Sequence, residues 1–100
     1  MTTVLITGST DGIGLRTAEL LRARGCDVIV HGRDPVKVDA VRGSVGAVAG
    51  LVADLSDLQQ VERLADEAAE MQPDVLINIA GIYARERVEG FLPAPELHVF

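Results

Sequence analysis

Thr7-Gly8-Ser9-Thr10-Asp11-Gly12-Ile13-Gly14 stands between the apolar run Val4-Leu5-Ile6 and a segment with helical spacing. A short apolar run bounded by glycines reads as a fully buried strand. From Ile13 to Arg24 the residues Ala18, Leu20 and Leu21 alternate with Arg16, Glu19, Arg22 and Arg24, and Gly25 follows where a C-terminal cap belongs. The octet therefore joins a strand to a helix. In that context each glycine has a physical purpose. Gly8 permits the tight turn, Gly12 lets backbone approach a pyrophosphate, and Gly14 lets the helix pack close to the strand. The helix N-terminus adds N–H groups and a positive dipole end, which suit phosphate.

Working outward, Val28, Ile29 and Val30 predict a second strand that ends in Gly32-Arg33-Asp34-Pro35. Asp34 is expected to cap a short helix from about Val36 to Arg42, with Pro35 in its first turn and Gly43 closing it. Ala47 to Val52 predicts a third strand. Ser56 with Gln59 forms a capping-box pattern ahead of Leu58, Val61, Leu64, Ala65 and Ala68, so a helix is expected to about Met71. Pro73 stops it, and Val75-Leu76-Ile77 predict a fourth strand. The β-α-β-α-β-α-β alternation argues for an α/β domain with a parallel sheet and right-handed crossovers. Residues 1–82 are expected to be this domain and residues 83–100 an irregular segment, since Arg85-Glu86-Arg87 is charged and Pro93-Ala94-Pro95 breaks any helix.

The spacing of Thr7, Gly8, Gly12 and Gly14 resembles the T-G-x-x-x-G-x-G signature of the classical short-chain dehydrogenase/reductase family. Asp54-Leu55 follows the third strand, where that family places an aspartate near the adenine. Asn78-Ile79-Ala80-Gly81 follows the fourth, where the family carries N-N-A-G. Ile79 departs from the pattern and removes a polar contact of the sheet, while Ala80 and Gly81 keep their approach to the cofactor. The resemblance extends to about Tyr83. It implies a Rossmann-type, three-layer αβα fold with strand order 3-2-1-4, incomplete relative to the full family fold. It also implies an oxidoreductase part that binds a nicotinamide dinucleotide through Thr7, Gly8, Ser9, Thr10, Gly12, Ile13, Gly14, Arg33, Asp54, Leu55, Asn78, Ala80 and Gly81. Sites that prefer NAD place an acid at the end of the second strand to hold the ribose 2′-hydroxyl. Here Gly32 occupies that position and Arg33 follows, so a 2′-phosphate is not repelled and can be gripped by the guanidinium. NADP(H) is the expected cofactor, with NAD as the alternative kept open by Asp34. The hydroxyls of Ser9 and Thr10 are candidate donors to the same phosphate.

The family's reductive chemistry uses a Ser and a Y-x-x-x-K pair. The single tyrosine is Tyr83, and four residues on stands Arg87. No residue is therefore assigned a catalytic role, and the chain is expected to be catalytically incomplete. A stand-alone nucleotide-binding or interaction module completed by a partner chain is the alternative.

Bulk properties exclude other classes. The net charge of -6 offers no basic footprint for nucleic acid. No run of 18 apolar residues predicts a membrane span. Two distant His and one Cys show no metal-ligand spacing. The lone cysteine, Cys26, forms no internal disulfide and suits a reducing cytoplasm. In the order 3-2-1-4 the fourth strand lies at the sheet edge, and self-association through that edge is expected.

Overall fold

A computed structural model of the chain describes residues 1–79 together with 98–99. The elements in chain order are β1 (Thr3–Thr7), α1 (Gly12–Ala23), β2 (Asp27–Gly32), α2 (Pro35–Val45), β3 (Ala49–Val52), α3 (Leu58–Met71), β4 (Val75–Asn78) and β5 (His98–Val99). The strands pair in parallel in the order β3-β2-β1-β4-β5.

Successive side chains of a strand point to opposite faces of the sheet, and β1 and β2 use that alternation to build two cores. Val4 and Ile6 of β1 join Val28 and Val30 of β2 on one face, with Ala18 of α1 and Val38 of α2 packed over them. Leu5 and Ile29 turn the other way and meet Leu64 and Ala68 of α3. The three layers are therefore α1 and α2, the sheet, and α3. Among the described residues both clusters are built from aliphatic side chains, mostly Val, Leu, Ile and Ala, whose close fitting carries this packing. Cys26 packs at the margin of the first core. Leu64, 1% exposed, is the largest side chain that α3 buries completely. Leu64→Ala is expected to cost about 2–5 kcal/mol, read as a shift in urea midpoint at unchanged slope.

The expected order 3-2-1-4 is present, with a correction at its edge. The two-residue strand β5 lies outside β4, pairing Val75 with His98 and Leu76 with Val99. The stretch after residue 82, expected to be irregular, thus supplies a strand. Backbone groups along a strand edge need partners, and β5 meets part of that need for β4. The sheet edge on this side belongs to β5, not to β4.

Two boundaries also differ from the sequence reading. α2 continues through Gly43 to Val45 and ends at Gly46, whose φ of 77° makes the left-handed cap. Gly43 tolerates the helix because nothing forces it out of helical backbone angles, at a cost near 1 kcal/mol relative to Ala. The cap of α3 is Asp57, not Ser56. The Asp57 carboxylate accepts from the N–H groups of Gln59 and Gln60, while the Ser56 hydroxyl donates to Asp54 Oδ1 at 2.7 Å.

Candidate functional site

The glycine turn is tied to its surroundings by backbone geometry first. Gly8 has φ 66° and Gly12 φ 56°, left-handed values that favour glycine. Gly14 sits at the closest approach of α1 to the turn. A Cβ there would collide with the Gly8 carbonyl oxygen and come within 2.8 Å of the Gly8 carbonyl carbon and 2.9 Å of Ser9 Cα. Around Gly12, by contrast, an added Cβ would meet no atom within 4 Å. One glycine is required by packing, and the other fronts open space at the start of a helix. Asp11 caps α1 through extended backbone, and its side chain makes no cap bond. Ile13, in the first turn, is 58% exposed.

Ser9 does something other than expected. Its side chain is fully buried. The hydroxyl donates to the Ile6 carbonyl at 2.8 Å and accepts from the His31 N–H at 2.9 Å. The backbone N–H of Ser9 donates to the His31 carbonyl at 2.9 Å. The expected phosphate donor is thus engaged with Ile6 and His31 in this structure. Thr10 keeps its position on the pocket wall.

That pocket, about 310 Å³ in volume, opens between the glycine turn and the C-terminal ends of β2 and β3. Gly8, Thr10 and Asp11 line it from the turn; Gly32, Arg33 and Lys37 line it from the β2–α2 side. Asp54, Leu55 and Ser56 close it beyond β3. Ligand sites of open α/β sheets lie at the carboxyl ends of the strands, and this pocket occupies that place. Gly32 is closely packed, and a Cβ there would lie 2.6 Å from Thr10 Cγ2 and 3.1 Å from Val38 Cγ2, so those side chains would have to shift to admit one. The position that carries an acid in sites preferring NAD has no side chain here. Asp34 is held as the α2 cap, accepting from the Val36 N–H at 2.9 Å.

Arg33 and Lys37 bring two cations to this wall, and Lys37 was not singled out by the sequence pattern. Its spacing, four residues after Arg33 across a helix start, was the available signal. Asp54 faces them. Its carboxyl is held below the usual carboxylate range chiefly by the side-chain and backbone hydrogen bonds of Ser56, with a smaller contribution from Arg33. The Asp54 N–H donates to Gln60 Oε1 at 2.8 Å, which fixes the backbone after β3.

His31, near the end of β2, is 2% exposed and stands behind the turn. Its Nδ1 accepts from the Gly8 N–H at 3.0 Å, and its Nε2 lies 2.9 Å from the Ala53 carbonyl oxygen. Burial pushes the imidazole below its ordinary pKa, and the bond to Ala53 offsets part of that shift. Nothing in the sequence pattern distinguishes a histidine that bridges two loops from one that ends a strand.

Thr7 and Asn78 are opposite each other on β1 and β4. The Thr7 hydroxyl donates to Asn78 Oδ1 at 2.7 Å, so both side chains join the strand ends beside the turn. Ile79 enters the first core, 8% exposed, an apolar use of the position where a polar residue was the expected pattern. Ala80 and Gly81, named from sequence as cofactor contacts, lie outside the described residues. Among the described residues no group of His, Cys, Asp or Glu is placed to hold a metal ion, and no helix is long and apolar enough to cross a membrane.

Comparison with known proteins gives a consistent result. The family described as short chain dehydrogenase matches residues 2–97. An uncharacterized oxidoreductase of Emericella nidulans is 40% identical over 84 residues, covering 82% of this chain and 33% of that protein. A D-beta-hydroxybutyrate dehydrogenase of Cupriavidus necator is 36% identical over 97 residues, covering 91% of this chain and 38% of that one. Among solved structures, a short chain dehydrogenase/reductase family protein superposes with TM-score 0.70 at 41% identity, over 89% of this chain and 40% of the other. A 3-ketoacyl-(acyl-carrier-protein) reductase from Brucella melitensis, complexed with NADH, superposes with TM-score 0.69 at 28% identity, over 76% of this chain and 32% of that one. The chain thus spans about a third of the length of the curated relatives it matches.

Proposed function

The chain belongs to the short-chain dehydrogenase family, and on that footing we propose that residues 1–82 form the part of an oxidoreductase that holds the adenosine and pyrophosphate of NADP(H). The observation that carries this reading is the pocket wall. Arg33 and Lys37 line it together, and Gly32 stands without a side chain where a carboxylate would bind a 2′-hydroxyl and repel a 2′-phosphate. Thr10 adds a hydroxyl beside Gly32. Gly12 and Ile13 offer the first-turn N–H groups of α1 to the pyrophosphate. Asp54 and Leu55 flank the adenine and Asn78 stands on the nicotinamide side, where the family resemblance also assigns Ala80 and Gly81 as cofactor contacts. Ser9 and Thr7 serve by holding the turn and the strand ends. The bound nicotinamide supplies hydride exchange with an alcohol or carbonyl; the described residues bind and orient it.

Arg33→Ala is expected to remove charge-assisted bonds worth about 1.5–3 kcal/mol, roughly ten- to a hundredfold in NADP(H) affinity, with little effect on NAD(H). Calorimetry with both cofactors on parent and variant reads this directly. Equal affinities of the parent for NADP(H) and NAD(H) would remove the preference.

Self-association through the β4–β5 side of the sheet is part of the same reading, because a two-residue edge strand covers little of the edge. Light scattering over a concentration series tests it, and a strictly monomeric chain at high micromolar concentration rejects it. The single cysteine accords with a reducing cytoplasm.

A further inference from the structure

We propose that His31 is a positioning residue of the dinucleotide site, whose neutral ring clasps the glycine turn to the end of β3 and whose protonation opens that clasp. The binding consequence rests on the dinucleotide reading above; the clasp itself rests on geometry alone. Nδ1 accepts a hydrogen bond from the Gly8 N–H at 3.0 Å, so it carries no proton. The ring proton is then on Nε2, which donates to the Ala53 carbonyl at 2.9 Å. One tautomer satisfies both backbone groups, and only that tautomer does. The backbone of His31 grips the same turn, through its N–H to Ser9 Oγ and its carbonyl to the Ser9 N–H.

Protonation adds a hydrogen to Nδ1 and sets it against the Gly8 N–H, donor to donor. The ring is 2% exposed, although His31 borders the pocket, and loss of its bond leaves the Gly8 N–H without that partner. The consequence travels by contact. Gly8 is the residue against which Gly14 packs without clearance, so a displaced Gly8 moves the start of α1, where Gly12 and Ile13 stand. The charged groups around the same pocket are Asp11 from the turn, Arg33, Asp34 and Lys37 from the β2–α2 side, and Asp54 from beyond β3. Asp34 and Asp54 are engaged with Val36 and Ser56, and the ring's own bonds go to backbone. Burial favours the neutral ring, so the clasp is closed at neutral pH. Because the folded state lowers this pKa, the stability it contributes is present above about pH 6.5 and declines as pH falls below it, where the unfolded chain takes up the proton.

The test has a ligand-free arm and a binding arm. In NMR spectra of the chain from pH 8 to 5, His31 is expected as the Nε2–H tautomer at pH 8. The Gly8 and Gly14 amides should shift with the same midpoint as its ring, below 6.5. An Nδ1–H tautomer, or a ring that titrates while the Gly8 amide stays fixed, overturns the clasp. In the second arm, NADP⁺ binding is measured by calorimetry at pH 7.5 and at one unit below that midpoint, on the chain and on His31→Asn. The Asn Oδ1 replaces the acceptor for Gly8 and does not titrate, so the variant reports the titration of the 2′-phosphate alone. The chain is expected to lose about tenfold more affinity than the variant, the effect of one linked proton over one pH unit. Equal losses overturn the link between clasp and binding. Absence of NADP⁺ binding by the parent at pH 7.5 counts against the dinucleotide reading, and the ligand-free arm still decides the clasp.

Discussion

Gly12→Val is expected to abolish dinucleotide binding and leave the sheet folded. The added side chain enters space that is open to 4 Å around the position of its Cβ, at the mouth of the helix whose N–H groups face the pyrophosphate in the proposed complex. Two effects must be separated. A valine at φ 56° is strained by about 1–3 kcal/mol, against a total stability of roughly 5–15 kcal/mol for a domain. The strain lowers stability without unfolding the chain. Steric exclusion of the phosphates acts on binding alone. Gly25→Val provides the matched comparison, because Gly25 also has a left-handed φ, 90°, and also fronts open space. It lies at the other end of α1, away from the pocket. Titration of NADPH fluorescence with each protein is expected to show no saturable binding for Gly12→Val and near-parental binding for Gly25→Val, while circular dichroism shows both folded. A folded Gly12→Val protein that binds as tightly as the parent would remove the glycine turn from the site.

Gly14→Val is expected to produce the largest loss of stability of any single change in the turn. The obstructing atoms are the Gly8 carbonyl and Ser9 Cα, all backbone, and no side-chain rotation relieves them. Either α1 lifts away from the turn or the turn itself yields. If α1 lifts, the fully buried Ala18 loses its packing in the first core. If the turn yields, the His31–Gly8 and Ser9–His31 bonds break. Overpacking of this kind costs about 3 kcal/mol or more, a fall in Tm of roughly 12–24 °C for a chain of this size. Thermal melts followed by circular dichroism read it. A variant within about 1 kcal/mol of the parent would mean that the approach of helix to turn is looser than described.

Gly14 shows where the sequence alone was sufficient. Spacing assigned it to helix packing, because a strand-turn-helix unit of that length leaves few other arrangements, and the Gly8 carbonyl stands against it. The alternation of strand and helix patterns likewise determined a parallel sheet, and the resemblance supplied its order from β3 to β4. What the sequence could not carry were relations between residues far apart in the chain. Ser9 and Thr10 are neighbours with interchangeable hydroxyls. Only contact with β2 turns Ser9 inward to Ile6 and His31 and leaves Thr10 on the pocket wall. Lys37 joins Arg33 because α2 begins with its first turn against the pocket, a matter of helix placement. Gly32 looked like a missing acid; the structure adds that Thr10 and Val38 pack closely against it, so a side chain there would have to displace theirs. His31 is the clearest case, since its two ring bonds reach Gly8 and Ala53, separated from it by 23 and 22 residues. Local pattern records periodicity and turn chemistry, which depend on neighbours in the chain. The direction of a buried polar group is set by whichever backbone donors and acceptors the sheet brings beside it, and those exist only once β1, β2 and β3 lie together.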